Sequence, residues 1–152
     1  MDDRIARLKT PEECRTFERN AKAKGRDDLV LDARRKGVEL RAAQYGAVSD
    51  AERDCLQAIY AYEEILNAKH GKRVRASRTW QMIKRRGIIE AIEQAVDRPD
   101  GTAGFTDLKE VGLDNFAFEA VVLRHHTVFS PAAVNRARER MQGFSAIVAN
   151  PE

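Results

Sequence analysis

Capping signals and glycine stops recur along this chain at helix-length intervals, and this punctuation constrains the fold more than any other feature. Thr10-Pro11-Glu12-Glu13 joins a hydroxyl cap, a first-turn proline and a carboxylate three residues on, and Gly25 closes the segment. The spacing predicts a helix from Pro11 to about Lys24. Asp27 or Asp28 can cap a second helix that runs to Tyr45 before Gly46, with Leu31, Val38, Ala42 and Tyr45 on one side. Gly37 inside it costs about 1 kcal/mol relative to alanine, which predicts close packing against a neighbour. Ser49-Asp50-Ala51-Glu52 is another capping box, opening a helix that ends at His70 before Gly71.

The apolar spacing of that third segment marks it as central. Cys55, Ile59, Tyr62 and Leu66 form a stripe that Ala58, Ala61 and Ile65 widen, so the helix is expected to be buried on more than one side. A fourth helix is predicted over Ala76 to Arg86. Gly87 ends it or bends it into Ile88 to Asp97, where Ile88, Ile89, Ile92 and Val96 form another apolar face. Arg98-Pro99-Asp100-Gly101 reads as a turn. Thr106 can cap a short helix ending at Gly112, Asp114 one running to His125, and Ser130-Pro131 a last one to Gln142. Beyond it, Phe144, Ile147 and Val148 favour partial docking of the tail. No segment alternates with a period of two between hairpin turns. The expected fold is all-α, one compact domain over residues 1–152 with seven or eight helices. Its N-terminal antiparallel hairpin over residues 11–45 packs on a central helix, with central and basic helices over 50–97 and C-terminal helices over 106–142. The hairpin loosely resembles one tetratricopeptide unit, but no second copy follows, which disfavours a solenoid.

A length of 152 residues with 43% hydrophobic and 34% charged content is enough to bury a real core. The longest strictly apolar run is Ala120 to Leu123, far short of a membrane span. Met1 to Thr10 holds acids and bases without an apolar stretch, so no signal peptide is visible and a cytoplasmic protein is expected. Cys14 and Cys55 both sit in helical patterns and read as small core residues, not as a disulfide or redox pair.

Charge is the one unusual distribution. Between Glu64 and Glu90 there is no acid, while Lys69, Lys72, Arg73, Arg75, Arg78, Lys84, Arg85 and Arg86 fall there. The chain as a whole is +3, so without those eight cations the rest would stand at −5. The basicity is local, and a local basic patch attracts polyanions. At about 100° per residue, Ala76, Trp80 and Ile83 share a narrow sector, with Arg75, Arg78, Arg85 and Arg86 roughly opposite. Trp80 is accordingly expected to anchor the core, while Met82 falls among the arginines. Ser77, Thr79 and the amides from Arg75 to Ser77 would add phosphate donors. The central helix, turn and basic helix resemble a helix-turn-helix in general outline, although the loop from Gly71 to Arg75 is longer than its tight turn.

These residues predict contact with duplex nucleic acid, DNA above all, through Lys72, Arg73, Arg75, Arg78, Gln81, Lys84, Arg85 and Arg86, because such cations neutralise phosphates and release counterions. Gln81 or Arg78 could reach base edges with bidentate contacts. A homodimer would relate two such faces by a twofold axis and let them span half-sites. The competing expectation is a helical protein-interaction module that docks an acidic partner. Glu63, Glu64, Glu90 and Glu93 could equally fold back on the cations as ion-pair partners.

Nothing in the sequence calls for catalysis, a cofactor or a metal. It contains no Gly-rich phosphate loop before Lys-Ser or Lys-Thr, no Cys-x-x-Cys and no zinc-protease motif. Of the three histidines, His125 and His126 are adjacent and project differently, and His70 sits at a helix end, where a cation is favoured. Asn115, Glu119 and His126 share one stripe of an apolar helix. The stripe reads as a narrow exposed polar edge, and only burial would turn it into a pocket with a raised carboxyl pKa.

Overall fold

A computed structural model describes residues 2–46, 49–97 and 105–149, with the side chains of 105, 106 and 143–149 left aside. The described chain is all-α: nine α-helices, one 3-10 turn and no strand, in one compact domain. They are α1 (Asp3–Ala6), α2 (Pro11–Ala23), α3 (Asp27–Tyr45), α4 (Asp50–His70), α5 (Ser77–Arg86), α6 (Ile88–Asp97), α7 (Phe105–Glu110), α8 (Phe118–Arg124) and α9 (Pro131–Ala149), with the 3-10 turn at Asp114–Phe116.

Two caps act as the sequence predicts. Thr10 accepts from the Glu13 amide and Ser49 from the Glu52 amide, each at 3.1 Å, which satisfies amides that the first turn leaves without a partner. Asp27 and Asp28 do not cap α3. They lie in its first turn, and Asp28 pairs instead with Arg26 at 3.0 Å. Likewise Thr106 lies inside α7 and not before it. The turn expected at residues 98–101 and the docking of Phe144, Ile147 and Val148 fall outside the described residues and side chains, although the backbone of α9 continues past Gln142 to Ala149.

α4 is the axis of the core. Its Cys55, Leu56, Ala58 and Ile59 join Ile83 of α5, Ile92 and Val96 of α6, Phe118, Val121 and Val122 of α8 and Ala137 of α9 in the main cluster. Ala61 and Ile65, further along α4, meet Val38, Leu108, Leu113 and Phe116 in a second one. Each fully buried Leu, Ile, Val or Phe is worth about 1.5–3 kcal/mol, so α4 is held from several sides at once. α2 and α3 pair along their lengths as a hairpin with its own small cluster of Ala21, Leu29 and Val30, and α3 packs on α4. Cys14 and Cys55 are free, buried thiols, and burial pushes the Cys55 thiol up to about 12.

Between Asp114 and His125 the expected single helix is broken. Ala117 is extended (φ −58°, ψ 141°), which sends Phe116 into the second cluster and Phe118 into the main one. Glu119 is also not on an exposed edge: it is 1% exposed and accepts from Arg140 of α9 at 3.4 Å. Asn115 and His126 stay exposed, so the three residues form no shared pocket. His125 instead contacts Asp54 at 2.7 Å.

Gly112 is dictated by its surroundings. Its φ is +75°, and a Cβ there would run into Leu31 of α3, whose Cγ and Cβ would lie at 3.1 and 3.3 Å. Arg35 of α3 donates to the Gly112 carbonyl at 2.9 Å, which secures the exit from α7 against the hairpin.

Candidate nucleic-acid interface

Two buried or half-buried side chains of α4 fix the connection that carries the basic residues. Asn67 Oδ1 accepts from the Val74 amide at 2.6 Å. Glu63, only 6% exposed, accepts from the Ala76 amide and from Trp80 Nε1, both at 2.8 Å, with Arg75 Nε at 3.9 Å. A carboxylate from the preceding helix thus caps α5, which has no capping side chain of its own. The pattern held one trace of this, a carboxylate inside an apolar stripe, four residues after Ile59 and three before Leu66.

This arrangement overturns one expectation about phosphate. The Ala76 amide at the start of α5 is already committed to Glu63, and the Ser77 amide donates to the Arg75 carbonyl at 2.9 Å. An anion approaching there would meet a carboxylate. Thr79 is 4% exposed and therefore unable to act as a surface donor, and Met82 is half-buried against the main core and not out among the arginines. Ala76 and Ile83 are buried as expected. Trp80 is half-buried at the rim of the same core, stacked on Tyr45 (5.7 Å, 27°), tilted against Tyr60 (5.3 Å) and covered by the Arg75 guanidinium at 5.3 Å. Tyr45, expected on the buried side of α3, is 47% exposed on the far side of that stack.

The buried sector, centred between Thr79 and Ile83, turns the outer face toward Ser77, Arg78, Gln81, Lys84 and Arg85, all exposed. Among the described residues Arg78, Lys84 and Arg85 have no carboxylate within ion-pair distance. Arg75 and Arg86 flank the face but are engaged, Arg75 with Glu63 and Arg86 with Glu90 at 3.1 Å. Lys69, at the end of α4, pairs with Asp107 at 2.9 Å. Glu64 and Glu93 do not fold back on the basic segment: Glu64 holds Arg41 of α3 at 3.1 Å, and Glu93 accepts from the Ser130 amide at 2.7 Å.

Lys72 and Arg73 are exposed and lie elsewhere, on the wall of a concavity of about 310 Å3 between α2, α3 and the end of α4. Arg15, Arg34 and Arg41 also line it, residues that the acid-free interval gave no reason to single out. Among the described residues no group of three or more His, Cys, Asp or Glu side chains is placed to hold a metal ion, and no helix is long and apolar enough to cross a membrane. No family model matches this chain, and neither does any curated protein or solved structure.

Proposed function

We propose that this protein binds duplex nucleic acid, DNA in the first instance, through the outer face of α5. The supporting observation is the row of Arg78, Lys84 and Arg85, exposed and without carboxylate partners among the described residues, on a helix whose start is braced by Glu63. Three cations on a rigid face suit phosphates along a backbone, and Gln81 between them carries the amide that can bond a base edge. Arg86 extends the footprint: its pair with Glu90 joins side chains 55% and 48% exposed, and such pairs are worth only about 0–1 kcal/mol, so a phosphate can displace it, whereas Arg75 stays at the edge beside the buried Glu63 carboxylate. Lys72 and Arg73, on the wall of the concavity, lie apart from this footprint. In this reading the protein is cytoplasmic and needs no cofactor.

Titration of generic duplex DNA at several salt concentrations tests the reading. With about four phosphate contacts, the slope of log affinity against log salt should be near −3.6. Absence of binding at low salt would overturn it. The exposed Tyr45 at the end of the hairpin favours one second reading, a docking module for an acidic protein. Capture of such a partner that needs residues 11–45 and survives reversal of Arg78 and Arg85 would assign that function instead.

A further inference from the structure

The concavity between α2, α3 and the end of α4 has features that the α5 face lacks. Its volume of about 310 Å3 falls at the lower end of small-molecule sites, about 300–1,000 Å3. Its walls are braced by two ion pairs: Arg34 donates to Glu18 at 2.9 Å, tying α3 to α2, and Arg41 to Glu64 at 3.1 Å, tying α3 to α4. Both carboxylates in the lining are therefore already matched, one arginine each. Among the described residues Arg15, Lys72 and Arg73, which line the same space, have no carboxylate within ion-pair distance. Pro11, Cys14, Ala33 and Gly37 supply small, apolar lining beside these charges. The Asn67 bond to the Val74 amide fixes the connection next to Arg73, so that wall is in place before any ligand arrives.

We propose that this cleft binds a phosphorylated small molecule, its phosphate held by Arg15, Lys72 and Arg73 and its organic part against the apolar lining. Three uncompensated cations exceed what a single carboxylate would use, and a phosphomonoester carries nearly two charges and three acceptor oxygens for them. Burial already lifts the Glu18 carboxyl above its ordinary value, with Arg34 opposing and Glu64 reinforcing the rise, so the lining tolerates further negative charge only where the unmatched cations stand.

The inference does not rest on the DNA reading, and Arg15 separates the two because it lies outside the acid-free interval. The probes are phenyl phosphate, benzoate and inorganic phosphate, followed by thermal shift and by amide NMR signals. Phenyl phosphate should raise Tm saturably and move the signals of Cys14, Gly37 and Gly71, leaving those of Arg78 to Arg85 in place. Arg15→Ala and Arg73→Ala should each weaken it about tenfold, as loss of one charge-assisted contact predicts, while Arg85→Ala leaves it unchanged. Neither substitution orphans a carboxylate, so both variants should fold. No response to phenyl phosphate at millimolar concentration, or a response in both variants equal to that of the parent protein, would overturn the site. Equal binding of benzoate would overturn the phosphate assignment, and equal binding of inorganic phosphate the role of the apolar lining.

Discussion

The cleft and the α5 face are built from the same residue types and solve the electrostatic problem in opposite ways. In the cleft, Arg34 and Arg41 are half-buried and each is committed to a glutamate on another helix. Charge there holds helices together, and the unmatched remainder is confined to a concave space. On α5, Arg78, Lys84 and Arg85 are exposed and, among the described residues, pair with no carboxylate. An arginine that holds the fold and one that awaits a partner are indistinguishable by composition; what separates them is burial and the neighbouring helix.

That difference can be broken most forcefully from the α5 side. Arg78→Glu with Arg85→Glu should weaken duplex DNA binding by about 100-fold at low salt and roughly halve the salt slope, since two of about four phosphate contacts are lost. Stability should stay within about 0.5 kcal/mol of the parent, because exposed side chains without partners are removed. A large loss of stability would show that the face has a structural role. Glu63→Ala comes next. It strips the acceptor from the Ala76 amide and the Trp80 ring nitrogen and should cost about 3 kcal/mol in urea unfolding. Retention of full stability would mean that α5 is not braced from α4.

A smaller effect separates the two kinds of arginine directly. Arg34→Ala leaves Glu18 without its partner and the Val111 carbonyl without a donor, and should cost about 1–2 kcal/mol, against about 0.5 kcal/mol or less for Arg78→Ala. Equal costs would erase the distinction drawn between the regions. The smallest effect is one of pH. Burial raises the Glu18 carboxyl above 4.5, so the folded state holds that proton more tightly than the unfolded chain. Its contribution to stability therefore falls as pH rises from about 4.5 through the raised value, and Glu18→Gln should flatten that part of the urea-midpoint profile.

Most of the helices were legible because their signals are local. Thr10 and Ser49 cap from their own turns, glycines end α3, α4 and α5, and the stripe of α4 repeats at helical spacing. The candidate interface was legible in part. Arg78 and Arg85 could be placed on an outward surface from the helical period, whereas the exposure of Gln81 and Lys84 beside them and the burial of Thr79 and Met82 depend on how α5 is rolled against the core. Glu63 and Glu119 read as ordinary polar positions, and both are buried, because their partners, the Ala76 amide and Trp80 in one case and Arg140 in the other, come from other elements.

The sequence by itself determined an all-α chain, the periodic faces of its helices and a basic interval with no acid to balance it. Only the tertiary structure decided where those cations go: Arg75 and Arg86 beside nearby carboxylates, Lys72 and Arg73 to the wall of a cleft shared with Arg15, and Arg78, Lys84 and Arg85 to the outward face of α5. Helical period is a property of a few consecutive residues, whereas the pairing of a charge depends on groups that folding alone brings within a few ångströms.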